Sequence, residues 1–178
     1  MTIKIGINGF GRMGRLSMRA AFDWDDIEII QINDPAGNAE TMAHLMTFDS
    51  IHGRWHHEAT HQGDSIVING KKIAYTQNTA TADTDWSQCD VVIEASGKIK
   101  TKALLEAYLA QGVKRVVVTA PVKEEGVLNI VMGVNEELYD KAIHPIVTAA
   151  SCTTNCLAPV VKVIHEKIGI KHGSMTTI

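Results

Sequence analysis

Ile3-Lys4-Ile5-Gly6-Ile7-Asn8-Gly9-Phe10-Gly11-Arg12-Met13-Gly14 is the stretch whose reading decides the fold. A β-branched run breaks into G-x-G-x-x-G, and from Met13 to about residue 22 the pattern turns helical. Strand, glycine turn and helix in that order form the first unit of an open parallel sheet. Each glycine has its own task. Gly9 permits the tight turn, Gly11 lets the backbone approach a pyrophosphate, and Gly14 lets helix and strand pack closely. The N-terminus of the helix offers free N–H groups and the positive end of the dipole to phosphates.

Asp34 lies twenty residues beyond Gly14, at the end of a second strand predicted at 27–32. There it can accept hydrogen bonds from an adenosine ribose, and its charge would repel the extra phosphate of NADP. NAD is therefore the expected cofactor. The plain alternative is a glycine-rich turn beside a solvated acid.

Outward from this unit, short β-branched runs alternate with helical stretches. A helix is predicted at 39–47. Ser65-Ile66-Val67-Ile68 and Lys71-Lys72-Ile73-Ala74-Tyr75 flank Asn69-Gly70, a strong hairpin signal. Further strands are predicted at 90–94, 115–119, 128–132 and 145–148, with a helix at 101–111 that Gly112 ends. From Ser151 the pattern is helical to about 167, where Gly169 stops it, and 172–178 reads as strand-like. The fold class is α/β, a Rossmann-type, doubly wound and mostly parallel sheet with a small antiparallel hairpin as an excursion beside it.

Composition bounds the function. In 178 residues, 45% are apolar and 21% charged, the balance of a globular protein. Seventeen Lys plus Arg against twenty Asp plus Glu give a net charge of −3, so no basic field recruits nucleic acid. No apolar run approaches the ~20 residues of a membrane helix, and the N-terminus lacks the layout of a signal peptide. Three cysteines, without a disulfide framework, point to reduced thiols and a cytoplasmic protein.

Ser151-Cys152-Thr153-Thr154-Asn155-Cys156-Leu157-Ala158-Pro159 is the second constellation. Cys152 falls at a helix N-terminus between hydroxyl residues that can cap it, and free N–H groups there favour a thiolate. Cys156, one turn along, reads as a small buried hydrophobe, and Pro159 implies an irregular first turn. A base is harder to place. His165 lies thirteen residues along the same helix, about 20 Å of rise away. His172, beyond Gly169, could fold back.

These two strings resemble phosphorylating glyceraldehyde-3-phosphate dehydrogenase. Supporting matches are Ile32-Asn33-Asp34, Asp49-Ser50-Ile51-His52-Gly53-Arg54, Thr119-Ala120-Pro121 and Gly133-Val134-Asn135, and the likeness runs through the whole chain. The resemblance implies an NAD-binding domain at 1–150 and the start of a catalytic domain at 151–178. It implies that Gly9, Gly11, Arg12, Met13, Gly14 and Asp34 hold NAD, with Thr119 on the nicotinamide side. Cys152 matches the nucleophile, and Ser151 and Thr153 match groups that handle the aldehyde and the attacking phosphate.

Glyceraldehyde 3-phosphate and inorganic phosphate are the implied substrates, and a homotetramer the typical assembly. Thr79, where the family usually has an adenine-contacting arginine, and Ala95-Ser96-Gly97, in place of Ser-Thr-Gly, depart from the pattern. They resemble a subgroup in which arsenate replaces phosphate as acyl acceptor; erythrose-4-phosphate dehydrogenase is a further alternative, and a dinucleotide-binding module alone is the non-enzymatic one. The family's catalytic histidine follows a string matching Met175-Thr176-Thr177-Ile178, so the chain reads as an N-terminal portion that is inactive by itself.

Five histidines, at 44, 52, 56, 57 and 61, crowd one stretch. Without a helical i, i+4 pair and a carboxylate third ligand they read as surface-loop residues, and no metal is expected. Cys89, beside a strand start, reads as a packed, inert thiol.

Overall fold

The computed structural model describes residues 2–177. Strand β1 (Ile3–Asn8) shows why a doubly wound sheet forms, because successive side chains point to opposite faces. Ile5 and Ile7 join one apolar cluster with Met18 of helix α1 (Arg12–Ala21). Gly6 faces the other way, where a Cβ would come within 2.8 Å of the Trp86 ring. Trp86 belongs to a second cluster with Leu105 and Tyr108 of a later helix. A glycine in β1 thus lets a fully buried indole lie against the backbone.

After α1 come β2 (Ile27–Asn33), α2 (Ala39–Thr47), the two-residue strands β3 (Phe48–Asp49) and β4 (Gly53–Arg54), β5 (Ala59–Gln62), β6 (Ser65–Ile68) and β7 (Lys71–Thr76). The second half holds β8 (Val91–Glu94), α3 (Lys102–Ala110), β9 (Arg115–Val118), β10 (Leu128–Asn129), β11 (Ile146–Thr148) and α4 (Cys152–Lys167). The main sheet has the order β10-β11-β9-β8-β1-β2-β7-β6-β5. Among the described residues, only β5–β6 and β6–β7 pair antiparallel in it; β3 and β4 form a separate antiparallel ribbon. The chain winds outward from β1 in both directions, so the switch point lies between β1 and β8.

Asn69 (φ 51°) and Gly70 (φ 78°) both occupy the left-handed region, as a two-residue hairpin turn requires. The hairpin extends the sheet edge, since β7 pairs parallel with β2 and β5 adds a third antiparallel strand that the sequence reading missed. Helix α2 covers β5 and β6.

Three expectations change. The strand expected at 128–132 is only two residues long, because its partner β11 is itself only three. Residues 172–177 pair with no strand and form no regular element, and Ile178 lies outside the described residues. Helix α4 runs unbroken through Pro159, so the irregular first turn is absent. Among the described residues, no helix is long and apolar enough to cross a membrane.

Candidate functional site

The sheet's register builds the floor of the site. Thr76, Asn33, Asn8 and Glu94 are partners across β7, β2, β1 and β8, so they stand in one row at the carboxyl rim. The Asn33 amide donates to Asn8 Oδ1 at 2.9 Å, and the Asn8 amide donates to Glu94 Oε2 at 2.7 Å. Thr76 Oγ1 and the Asn78 backbone N–H both donate to Asn33 Oδ1, at 2.8 and 2.9 Å. Glu94 is 1% exposed yet fully partnered. It also accepts from the Tyr108 hydroxyl at 2.5 Å, from Ser96 N–H at 2.8 Å, and from the Ser96 hydroxyl. Burial and the Glu94 charge push the Tyr108 hydroxyl pKa far up, so Tyr108 remains a donor.

On this floor sits the glycine turn. Gly9 has φ 90°, and a Cβ there would lie 2.3 Å from the Ser96 nitrogen. Gly14 is as tightly placed, with Gly9's carbonyl oxygen 2.1 Å from where its Cβ would be. Gly11 is the opposite case: nothing lies within 4 Å of an added Cβ. Two glycines let strand, turn and helix close up, and the third leaves its backbone open. Arg15 braces the turn by donating to the Phe10 carbonyl at 2.8 Å.

Asp34, 8% exposed, ties the second strand to this turn. Its carboxylate accepts the Phe10 N–H at 2.6 Å and the Ala36 N–H at 2.8 Å. Two carboxylate oxygens have about four acceptor positions, so room remains for ribose hydroxyls. The Tyr75 hydroxyl holds the Asp34 carbonyl at 2.8 Å from below.

Gly9, Gly11 and Asp34 line one cleft of about 250 Å³, together with Asn33, Asn78, Thr79, Ser96 and Lys98. Helix α1 has Gly11 as its N-cap with no side-chain cap, so Arg12, Met13 and Gly14 begin it with uncapped N–H groups. The Met13 side chain is exposed. The Arg12 guanidinium lies 3.6 Å from Asp49, whose carboxyl is held below its usual range by the His52 and Ile51 N–H groups and more weakly by Arg12. An open glycine backbone, uncapped helix donors and a tethered carboxylate with spare lone pairs fit a dinucleotide. Sequence reasoning missed Asn8, Asn33, Glu94 and Lys98. The available signal was that Asn8, Asn33 and Glu94 are polar residues ending otherwise apolar strands.

Thr119 follows β9 on the same rim and lies outside that cleft. Its N–H and hydroxyl both point to the Glu94 carbonyl, at 2.9 and 3.3 Å. The next strand leads to the cysteine turn. Ala149 N–H reaches the Val118 carbonyl at 2.9 Å, and Ala150 then takes φ 55° with its N–H on Thr148 Oγ1. A left-handed alanine costs on the order of 1 kcal/mol, and the turn is held by other bonds. The Asn155 amide donates to the carbonyls of Ala149 at 2.7 Å and Ser151 at 2.9 Å.

Ser151 is the N-cap of α4, and its hydroxyl accepts the Thr154 N–H at 3.0 Å. The Ser151, Thr153 and Thr154 hydroxyls form one cluster, with Ser151 bonded to each of the others. Cys152 begins the helix with an exposed thiol. Ser151 and Thr154 also line a second cleft, of about 380 Å³, with Pro121, Asn129 and Ala150. The two clefts share no lining residue. The structure thus gathers the glycine residues and Asp34 in one place and the cysteine group in another, with Thr119 on the rim between them.

Cys156 is exposed, not buried. Helix α4 stands clear of both apolar clusters and has no buried residue, so nothing covers that thiol. Cys89 is buried as expected, and desolvation, with the Asp85 and Asp90 charges, pushes its thiol up to about 11. His165 stays at the far end of α4, where its Nδ1 accepts the Ile170 N–H at 3.4 Å.

Residues 3–102 match the family model "Glyceraldehyde 3-phosphate dehydrogenase, NAD binding domain", and residues 151–178 match the C-terminal domain of the same enzyme. The chain is 53% identical over 180 residues to glyceraldehyde-3-phosphate dehydrogenase 3 of Nostoc sp., a match covering all of this chain and 53% of that protein. It is 46% identical over 177 residues to glyceraldehyde-3-phosphate dehydrogenase 1 of Bacillus cereus, covering 98% of this chain and 52% of that protein. Against the Geobacillus stearothermophilus enzyme the identity is 43% over 180 residues, covering 100% and 53%. The chain therefore spans about half the length of the curated relatives it matches. With a glycine turn built at the switch point of a doubly wound sheet, it belongs to the glyceraldehyde 3-phosphate dehydrogenase family and carries that family's NAD-binding Rossmann domain.

Proposed function

We propose that this chain is the nucleotide-binding part of an NAD-dependent, phosphorylating oxidoreductase acting on glyceraldehyde 3-phosphate. In this reading residues 1–150 bind the nucleotide and 151–178 begin the catalytic domain. The observation that carries it is the Asp34 carboxylate bonded to Phe10 N–H at 2.6 Å beside an open Gly11 backbone. Gly9, Gly11 and the uncapped N–H groups of Arg12, Met13 and Gly14 hold the pyrophosphate, and Asp34 holds the adenosine ribose. NAD supplies a hydride acceptor.

The chain's own covalent chemistry belongs to Cys152. Its thiolate forms a C–S bond to the aldehyde carbon, and after oxidation the acyl group remains on sulfur as a thioester. An oxygen of inorganic phosphate then attacks the acyl carbon, the C–S bond breaks, and the product 1,3-bisphosphoglycerate leaves with Cys152 regenerated as thiolate. Ser151 and Thr153, which flank Cys152 in the chain and whose hydroxyls hydrogen-bond each other, orient the aldehyde and the phosphate. Arsenate would fill the same acceptor role. Function as a cytoplasmic homo-oligomer rests on family membership. The 178 residues alone are expected to bind NAD without turnover, because among the described residues no imidazole hydrogen-bonds Cys152.

Parallel titration of the chain with NAD and NADP tests the nucleotide reading. NAD should bind at least tenfold more tightly, about 1.4 kcal/mol, and Asp34→Asn should narrow the gap. Equal affinities for the two would remove Asp34 from its role.

A further inference from the structure

At the opposite end of the strands from the glycine turn, three ligand-type side chains meet. Asp23 follows α1, and His56 and His57 precede β5. His57 Nε2 lies 2.6 Å from Asp23 Oδ1, and His56 Nε2 lies 3.0 Å from Asp23 Oδ2. All three ligand atoms fall within 4.8 Å of one another. The carboxylate absent at helical spacing is supplied from 33 residues upstream.

We propose that Asp23, His56 and His57 form a binding site for a divalent transition-metal ion of the zinc class. The donor set suits zinc, cobalt(II) or nickel(II), with imidazole nitrogen dominating. Ligand atoms on a tetrahedral zinc ion lie about 3.3 Å apart. Against that separation the His56 contact of 3.0 Å is short by about 0.3 Å and the His57 contact of 2.6 Å by about 0.7 Å, so the exposed Asp23 side chain must draw back by less than an ångström to admit an ion. Half or more of the Asp23 and His56 side chains is exposed, so water can complete the coordination.

The site is supported from behind. The His57 side chain is 17% exposed, with its ring edge-on to Phe22 (5.1 Å) and Trp55 (4.7 Å). The Asn69 amide lies 3.0 Å from His57 Nδ1. That asparagine is the first residue of the left-handed hairpin turn, which fixes where its side chain is delivered. Without metal, the two contacts suit the His57 tautomer with its proton on Nε2, which donates to Asp23 and accepts the Asn69 amide at Nδ1. With metal, the proton moves to Nδ1 and the Asn69 amide rotates to accept it, the outer-shell arrangement usual for ligating histidines. A bound ion would tie the end of α1 to the start of β5.

The test uses the full chain with Cys152→Ser and Cys156→Ser, so that the exposed helix thiols cannot take the metal. After chelator treatment and its removal, Co²⁺ and Zn²⁺ are titrated while visible absorption and the unfolding temperature are followed. One ion per chain is expected, with the intense visible bands of low-coordinate cobalt and a rise in unfolding temperature. Asn69→Ala should weaken binding about tenfold, and His57→Gln should weaken it further. Asp23→Asn, on a largely exposed side chain, supplies the same comparison if the packed His57 variant fails to fold. No stoichiometric ion, or an affinity unchanged in both Asp23→Asn and His57→Gln, would overturn the proposal and leave Asp23 as a hydrogen-bond acceptor for two imidazoles.

Discussion

Helices α1 and α4 each begin at the carboxyl rim of the sheet and each starts a candidate binding group, but they are made differently. Helix α1 has an uncapped glycine at its start and packs Gly14 and Met18 into the molecule. Helix α4 has a serine cap, a cluster of hydroxyls and no buried residue, with Leu157, Val160, Val161, Val163 and Ile164 all exposed. The first helix leaves its donors for a ligand and takes its stability from packing. The second satisfies one of its own donors and is held chiefly by its turn, through Asn155, and by Lys162 on the Gly133 and Val134 carbonyls. Mutations at the two should therefore register in different observables.

The largest effect belongs to the packed turn. Gly14→Ala places a Cβ 2.1 Å from the Gly9 oxygen, and a loss of about 3 kcal/mol or more in urea unfolding is expected. Gly11→Ala should change stability by less than about 0.5 kcal/mol, yet cost about tenfold or more in NAD affinity. Equal stability losses for both variants would break the distinction between packing and ligand glycines. Next comes Tyr108→Phe, which removes one donor from the buried Glu94 and should cost about 1–3 kcal/mol.

Ser151→Ala removes a cap worth about 1 kcal/mol. Because α4 buries nothing, the expected signature is a loss of helical signal in far-ultraviolet circular dichroism while the unfolding midpoint of the sheet stays put. A shifted midpoint would show α4 coupled to the core.

The smallest effect concerns the three thiols. Cys152 and Cys156 are exposed, and both should react with iodoacetamide before Cys89, as peptide mapping would show. Cys89 gives a pH dependence as well. Its folded pKa is raised to about 11, so the folded chain holds the proton more tightly than the unfolded one. That contribution is complete below the ordinary thiol value of about 8.5 and is lost as pH rises through the folded value. Cys89→Ala should flatten the fall in stability over that window.

The comparison also explains what was legible in the sequence. The glycine turn could be read because its requirements are local: a left-handed Gly9, a close Gly14 and an acid at the end of the next strand. The Asn69-Gly70 hairpin was legible for the same reason. Burial on α4 was not legible, since helical periodicity shows which residues share a face and says nothing of whether another surface meets it. Cys156 was misjudged on that account. The row of Asn8, Asn33 and Glu94 was hidden because strand register alone brings these distant positions together. Strand β5 was missed because Thr60, His61 and Gln62 lack an apolar rhythm, and pairing with β6 makes the strand.

The row of side chains beneath the dinucleotide cleft has a dynamic consequence. Asn8, Asn33 and Glu94 are each buried, and each is satisfied by a neighbour on another strand. If one strand end frayed, it would strand its neighbour's amide or carboxylate without a partner in a dry environment, a penalty larger than that of the one lost bond. Opening of the rim is therefore cooperative across four strands. Partly frayed arrangements of the cleft floor are therefore disfavoured relative to the closed row. The ligand surface consequently keeps its shape until the sheet itself gives way.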